Sequence, residues 1–187
     1  MSLRHALLYR GLALGLALGL ALVLSGCMTR PATELPTTPL SDASQWRLEG
    51  KLGVKAHANS GNLSISWEQI DDAYDIRLYG PLGVVVAQVS GNDSGATLNL
   101  PEAPPLRASS PEALVRQALG YPLPVSPMRY WVRGIPAPDE VFDVTTEGFR
   151  QLGWQVVIQQ TDVWGPVKIR IQRPEVRLLL VVKKWRY

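Results

Sequence analysis

The sequence predicts a mainly β protein, in which one run of antiparallel strands curls into a barrel or half-barrel under a small helical lid. Three observations support this fold class. Apolar and polar residues alternate along most of the chain, turn-forming residues separate the alternating segments, and helix-forming segments occur only near the middle. Strands with one apolar face must bury it, and a curled sheet with a lid over its open side does so.

At least eight strands are predicted from a period of two, which gives each strand one apolar and one polar face. Tyr74, Ile76 and Leu78, for example, alternate with Asp75 and Arg77. The segments with strand-like sequences are 46–54, 63–67, 74–78, 84–89, 96–100, 154–158, 167–171 and 176–185. Clusters of Gly, Asn, Asp, Ser and Pro predict turns, at 59–61, 80–83, 91–95 and 173–175.

Two helices are predicted between the fifth and sixth of these strands. Ser110 suits the N-cap of the first helix, with Pro111 at its first helical position, and the helix is expected to end at Leu119 before a glycine. A shorter helix is expected from Ser126 to Trp131, ahead of the glycine and proline that end it. These helices form the predicted lid.

The first 26 residues have the composition of an export signal. They contain Arg4 and Arg10, no acidic residue, and an apolar stretch too short to span a bilayer comfortably. The segment Leu24-Ser25-Gly26-Cys27 resembles the lipobox of bacterial lipoproteins, in which the cysteine is lipidated and the chain is cut before it. We therefore expect residues 1–26 to be a signal peptide and Cys27 to carry lipid. The alternative is an incidental thiol at the end of a membrane anchor.

Residues 27–44 are predicted to form a flexible tether between the lipid and the folded domain. They are rich in proline and threonine and poor in large apolar residues, so they bury too little surface to fold. Residues 45–187 are then expected to form a single periplasmic domain. Met28 stands where an aspartate commonly signals retention in the inner membrane, so we expect an outer-membrane location, facing the periplasm.

The composition also disfavours several classes of protein. Without the two arginines of the leader, the net charge falls from +3 to +1, so nucleic-acid binding by phosphate neutralisation is not expected. Cys27 is the single cysteine, which excludes an intrachain disulfide and a thiolate-rich metal site. His57 is the one histidine after the leader, and nucleophile elbows, phosphate loops and ligand clusters are missing. We therefore expect no enzyme activity, no metal and no cofactor.

The turn Pro81–Leu82–Gly83 carries a leucine where hairpin tips usually carry Asn, Asp or Ser. Turn tips normally face water, where a leucine contributes nothing to folding. Two interpretations stay open: Leu82 packs back onto the rim of the barrel, or it protrudes to enter a membrane or a partner. Four arginines could also contact lipid headgroups or acidic partners, although a solvated face is the favoured interpretation for each one: Arg129, Arg133, Arg170 and Arg177.

Several motifs resemble the LolB family of outer-membrane lipoprotein receptors. They are Trp46-x-x-x-Gly50-Lys51, Trp67-x-Gln69, Tyr74-x-Ile76-x-Leu78-x-Gly80-Pro81-Leu82-Gly83, Tyr130-Trp131-x-x-Gly134-x-Pro136 and Gly153-Trp154. The resemblance extends from the lipobox to Trp185. Its most specific part is the Gly-Pro-Leu-Gly hairpin together with the Tyr-Trp-x-x-Gly-x-Pro segment.

The resemblance implies an unclosed antiparallel barrel with a helical lid over an apolar cavity. It also implies that the protein accepts triacylated lipoproteins from the soluble periplasmic carrier LolA and inserts them into the outer membrane. The protruding apolar loop residue that the family needs for insertion matches Leu82, so Pro81, Leu82 and Gly83 form the expected membrane-insertion loop. The residues expected to line the acyl cavity are Trp67, Ile76, Leu78, Trp131, Trp154 and Leu180.

The sequence and the resemblance together predict a monomer that is not an enzyme. Its expected partners are a LolA-like periplasmic carrier, triacylated lipoprotein cargo and the inner leaflet of the outer membrane. Two alternatives remain: a lipid-sequestering or envelope-assembly lipoprotein with the same cavity, and an enzyme acting on cell-wall or acyl substrates. Loss of activity in His57→Ala would favour the enzyme.

Overall fold

The computed structural model describes residues 38–56, 59–119 and 123–187. The predicted signal peptide, Cys27, His57 and most of the predicted tether lie outside the described residues. Within these three ranges, no helix has both the length and the apolar character needed to cross a membrane.

Eleven strands and two helices make up the described fold. The strands are β1 (Gln45–Ala56), β2 (Asn59–Ile70), β3 (Ala73–Tyr79), β4 (Val85–Asn92), β5 (Gly95–Asn99), β6 (Leu106–Ala108), β7 (Phe142–Thr145), β8 (Gly148–Gln151), β9 (Trp154–Asp162), β10 (Gly165–Arg173) and β11 (Val176–Arg186). The helices are α1 (Pro111–Leu119) and α2 (Val125–Trp131), which lie between β6 and β7 in the chain.

The strands form one antiparallel sheet in the order β6-β5-β4-β3-β2-β1-β11-β10-β9-β8-β7. The first and last strands of the chain pair with each other through a long ladder, from Arg47 opposite Arg186 to Ala56 opposite Val176. Strands β6 and β7 are the two edges of the sheet and do not pair with each other in the described residues. The sheet is therefore an unclosed barrel, which confirms the predicted fold class.

All eight predicted strands are present, and the structure adds β6, β7 and β8. The predicted turn at 59–61 is wrong. These three residues belong to β2 and pair with residues 54–56 of β1. Ladder pairing with a neighbouring strand outweighs the turn preference of Asn, Ser and Gly, because strand propensity depends strongly on context.

Both predicted helices are confirmed. The Ser110 hydroxyl oxygen accepts a hydrogen bond from the Ala113 N–H at 3.2 Å, which is the geometry of an N-cap. Helix α2 begins at Val125, one residue before the predicted start, and ends at Trp131 as predicted.

The interior consists of two hydrophobic clusters of buried residues, and the partly buried Val89 packs against both. The large cluster lies inside the curved sheet and contains five of the six tryptophans, each at most 6% exposed: Trp46, Trp67, Trp131, Trp154 and Trp185. The small cluster is built on Ala96, Leu98 and Leu114, and it joins α1 to β5. The two lid helices therefore contact different parts of the core.

Gly50 lies at a bulge in the seam between β1 and β11, where the register shifts after Glu49. A Cβ at this position would collide with the carbonyl oxygen of Val181 and lie 3.1 Å from the Cα of Val182. We expect Gly50→Ala to lower the free energy of unfolding by about 2 kcal/mol, because the backbone of the seam must move. Urea denaturation measures this loss.

Gly61 of β2 offers a matched control for this substitution. A Cβ there would meet no atom of the described residues within 4 Å, so Gly61→Ala should leave the urea midpoint close to that of the unchanged chain. Equal midpoints for both variants would show that the seam tolerates a side chain.

Candidate functional site

The turn between β3 and β4 presents Leu82 fully to solvent. The side chain is 101% exposed, and the nearby Val84 is 61% exposed. The turn itself is closed by backbone hydrogen bonds: the Gly80 N–H donates to the Val84 carbonyl at 2.9 Å, and the Gly83 N–H donates to the Gly80 carbonyl at 3.3 Å. Leu82 therefore protrudes from an ordered hairpin and does not pack back onto the rim.

The backbone of this turn is unfavourable for leucine. Leu82 has φ 64° and ψ 10°, in the left-handed region, where a side chain costs about 1–2 kcal/mol relative to the right-handed one. The following Gly83 also has a positive φ, of 76°. Glycine or asparagine usually occupies such turn positions. Leu82 thus makes no packing contact with the core and has a strained backbone conformation, which indicates that its side chain contacts a membrane or a partner molecule.

Replacing Leu82 with glycine is expected to raise the free energy of unfolding by roughly 0.5–1 kcal/mol, since it removes the left-handed strain. Thermal denaturation measures the gain. Val84→Gly is the matched control. Val84 has an ordinary extended backbone with φ −74°, so a glycine there relieves no strain and the variant should be less stable than the unchanged chain. A Leu82→Gly variant less stable than the unchanged chain would contradict the strain.

Helix α2 is attached to the sheet through Trp131 and Gln151. The Trp131 ring is completely buried, and Gln151 is 2% exposed. The Gln151 Oε1 accepts hydrogen bonds from Trp131 Nε1 at 2.7 Å and from the Ala137 N–H at 2.8 Å. Its Nε2 donates to the carbonyls of Ala137 at 2.8 Å and Glu140 at 3.0 Å. One buried amide thus links the end of the lid helix, the following loop and β8.

Two arginines attach α2 at its outer side. Arg129 Nη1 lies 2.9 Å from Asp72 Oδ1 in the β2–β3 turn. Arg133 Nη1 donates to the carbonyls of Leu40, Ser41 and Ala43 at 3.3, 3.1 and 3.0 Å, and burial lowers the pKa of this guanidinium. These two side chains are anchors of the lid, so their interpretation as a solvated face is wrong.

Five of the six candidate cavity residues belong to the large cluster, and Leu78 packs against it. Leu78 is partly buried, and the other five are 9% exposed or less: Trp67, Ile76, Trp131, Trp154 and Leu180. The structure therefore brings them together but packs them tightly. The ring centroids of Trp131 and Trp154, for example, are 6.5 Å apart. Trp67 and Trp154 also line clefts, whereas an acyl chain could reach the completely buried Trp131 only after the lid had moved.

A cleft of about 250 Å³ lies between the lid helices and the sheet, with Trp67, Tyr74, Pro111, Val125 and Arg129 among its lining residues. This volume is smaller than the roughly 300–1,000 Å³ of typical ligand pockets. The Tyr74 hydroxyl is buried without a described hydrogen-bond partner, and burial raises its pKa to about 12. The phenol is therefore neutral at physiological pH. The closed lid leaves space in this cleft and also in one of about 310 Å³ lined by Trp46, Arg129 and Arg133.

Gln151 is a residue that the sequence does not indicate, and the sequence predicts that Arg133 faces solvent, headgroups or acidic partners, whereas it binds backbone carbonyls. Because alternation in the sequence does not reveal β8, no sequence signal identifies Gln151 as buried. Once it is buried, its hydrogen bonds follow the rule that buried polar groups are almost always hydrogen-bonded. Within the described ranges, no group of three His, Cys, Asp or Glu residues is placed to hold a metal ion.

Among solved structures, the fold aligns with a LolA superfamily protein from Nitrosomonas europaea at a TM-score of 0.46 and 9% identity, over 78% of this chain and 86% of that chain. It aligns with a DUF1329 family protein from Desulfovibrio piger at a TM-score of 0.49 and 12% identity, with the same coverage.

Sequence comparison identifies closer relatives. A protein named outer-membrane lipoprotein LolB from Pseudomonas syringae pv. syringae is 34% identical, over 99% of this chain and 97% of the relative. One of the same name from Pseudomonas putida strain F1 is 36% identical, over 78% and 76%. The names agree with the predicted outer-membrane location and describe lipoproteins, not enzymes. Because the family model described as outer membrane lipoprotein LolB also matches residues 44–185, this chain belongs to the LolB family, as its motifs predicted.

Proposed function

We propose that this chain accepts triacylated lipoproteins from a LolA-like periplasmic carrier and inserts them into the inner leaflet of the outer membrane. The observation that carries this proposal is Leu82, an apolar side chain that is fully exposed at the tip of an ordered hairpin. Membership of a family of outer-membrane lipoproteins supports the same role. Lipid on Cys27 and a tether over 27–44 would hold the domain near the membrane in which Leu82 acts.

Acceptance requires an apolar interior that the acyl chains can enter. Each methylene exposed to water costs about 0.8 kcal/mol, so acyl chains move directly between apolar environments. The large cluster supplies such an environment once α2 and Trp131 leave it. Because α1 packs its Leu114 against Ala96 and Leu98 of β5 in the small cluster, α2 can leave the large cluster while α1 stays on the sheet.

The described contact between the lid helices is small and polar. The Ser126 N–H of α2 donates to Glu112 Oε1 of α1 at 2.7 Å, in an exposed hydrogen bond. One hydrogen bond to a carboxylate contributes about 1.5–3 kcal/mol, and competition from water at this exposed position lowers that contribution. This weak junction supports an opening between α1 and α2 as the route by which acyl chains enter.

Delivery requires a solvent for acyl chains that is better than the cavity, and the bilayer provides it. Leu82 would enter the bilayer and bring the opened lid to its surface. No bond is made or broken in this cycle, and the direction of transfer depends on relative affinities: the cavity must bind acyl chains more strongly than the carrier and less strongly than the membrane. Nucleotide hydrolysis is not needed at this step.

A transfer assay with purified components tests the proposal. Every described strand, helix and core residue lies within 38–187, so a chain that starts at Thr29 retains the whole described fold. It is mixed with a LolA-like carrier loaded with a labelled triacylated lipoprotein, and the label that co-purifies with the chain is measured. We expect saturable transfer, and we expect His57→Ala to transfer normally.

Two results would contradict the proposal. Bound acyl lipid without transfer from the carrier would favour the lipid-sequestering alternative. Loss of activity in His57→Ala, with the fold intact by circular dichroism, would favour an enzyme.

A further inference from the structure

The strand register places a row of polar side chains on the outer face of the sheet. Arg150 of β8 is opposite Gln155 of β9, which is opposite Gln172 of β10, and Gln172 is opposite Arg177 of β11. Lys55 of β1 continues the row beside Arg177. Residues opposite each other in antiparallel strands share a face, and neighbouring strands are about 4.8 Å apart. Three cations therefore lie along one line across five strands.

Hydrogen bonds hold the centre of this row in place. Gln172 Nε2 donates to Gln155 Oε1 at 3.0 Å, and Arg177 Nε donates to Gln172 Oε1 at 3.1 Å. Gln155, Gln172 and Arg177 also line a cleft of about 340 Å³, together with Arg150 and Arg173. The Arg177 guanidinium is thus oriented by the Gln172 amide, and none of the described ion pairs gives it a carboxylate partner.

Arg173 adds a further positive charge to this cleft. Its guanidinium carbon lies 4.9 Å from the centroid of the Trp154 ring, a distance at which a cation is attracted to the ring face. Its Nε atom is buried and has no hydrogen-bond partner in the described part of the chain. The ring fixes the position of the guanidinium but satisfies none of its N–H donors.

Among the described residues, no carboxylate forms an ion pair with Arg150, Arg173 or Arg177. The ion pairs among the described residues involve other arginines, although Asp143 is opposite Arg150 in the register and Glu175 lies in the β10–β11 turn. Three unpaired guanidinium groups around one cleft favour an anion, and the planar guanidinium fork matches the oxygens of a phosphate.

The cleft lies at the same end of the sheet as Leu82. In an antiparallel meander, alternate turns occur at the same end, and the pairing of Ala56 with Val176 puts the β10–β11 turn beside the end of β1. The turns β3–β4, β8–β9 and β10–β11 therefore share one rim. The β8–β9 turn carries a second leucine with a left-handed backbone, Leu152, which has φ 52°, is 47% exposed and precedes Gly153 with φ 75°.

We propose that Arg150, Arg173 and Arg177 bind the phosphate of an anionic phospholipid headgroup while Leu82 and Leu152 enter the bilayer beside it. The proposal rests on the membrane contact of the proposed function and deepens it. A headgroup bound in this cleft fixes which rim faces the membrane, so that the Leu82 turn enters in a defined orientation. Leu152 becomes a second point of insertion.

Flotation with lipid vesicles tests this inference. The chain from Thr29 is mixed with vesicles of phosphatidylcholine alone or with added phosphatidylglycerol, and the bound fraction is measured. We expect stronger binding with phosphatidylglycerol. The double variant Arg173→Gln and Arg177→Gln should bind those vesicles about 30-fold more weakly, because each cation at an anionic surface contributes on the order of 1 kcal/mol and every 1.4 kcal/mol is a factor of ten in affinity.

The matched control removes two charges from the other end of the same strand. Lys183 and Lys184 are exposed near the end of β11, so Lys183→Gln with Lys184→Gln should bind as the unchanged chain does. Equal loss in both double variants would show a general charge effect and overturn the proposal. If the arginine variant unfolds at a lower urea concentration, Arg177→Gln alone, at an exposed position, provides the comparison.

Two further measurements separate this inference from its alternatives. Calorimetric titration with inorganic phosphate in the absence of vesicles should show no binding, whereas tight binding that the arginine variant loses would indicate a site for the free ion and overturn the lipid assignment. In the carrier assay, the arginine variant should accept lipoprotein normally. A chain that fails to accept lipoprotein but binds phosphatidylglycerol through the arginines would reject the proposed function and retain this inference.

Discussion

Replacing Leu82 with glutamate is expected to slow the delivery of lipoproteins to liposomes at least about 100-fold, while acceptance from the carrier stays intact. Burial of a leucine side chain in an apolar medium contributes about 1.5–3 kcal/mol, and a charged side chain within the bilayer costs about 2.5–3.5 kcal/mol. Leu82 has no contact with the core, since it is 101% exposed. The substitution therefore changes the membrane step and not the cavity.

The two steps are measured separately. Labelled lipoprotein is first transferred from the carrier to the chain, and the loaded chain is then mixed with liposomes and floated. Val163→Glu is the matched control, because Val163 is 74% exposed in the β9–β10 turn at the opposite end of the sheet from Leu82. Equal loss of acceptance and delivery in Leu82→Glu, or a delivery defect in Val163→Glu, would contradict a membrane role specific to the Leu82 turn.

The long strands of this fold are predictable from sequence because each has enough residues for alternation to show. The three strands that the pattern misses have three or four residues each. In β8 the pattern is also interrupted, since Phe149 and Gln151 both point inward and are buried. A glutamine in the apolar phase removes the periodicity on which the prediction depends. Such a strand can be assigned only once its neighbouring strands are known.

The functional side chains are predictable to different degrees for physical reasons. Leu82 stands out because its residue type is unusual at a hairpin tip, but its exposure follows from a left-handed backbone angle that the sequence does not specify. Alternation indicates which residues face the interior, yet it does not indicate whether Trp131 and Trp154 enclose a space or fill it. Here they fill it, so the acyl cavity of the proposed function forms only when the lid moves.

The largest effect on the lid is expected from Gln151→Leu, which should lower the free energy of unfolding by about 3 kcal/mol. The substitution keeps an apolar side chain in β8 but removes both hydrogen-bonding atoms of the amide. Trp131 Nε1 and the backbone groups of Ala137 and Glu140 then lose their described partner. Leaving buried polar groups unsatisfied costs about 1–3 kcal/mol each, and part of this loss is recovered as the loop relaxes toward water.

The same variant tests whether movement of Trp131 opens the cavity. A weaker attachment of α2 raises the population of the open lid, so Gln151→Leu should bind a fluorescent fatty acid faster than the unchanged chain does at a urea concentration where both remain folded. Gln159→Leu is the control, because Gln159 is exposed on β9 and should change neither stability nor uptake. A Gln151→Leu chain that is destabilised but takes up the probe at the unchanged rate would show that acyl chains enter by a route that leaves Trp131 in place.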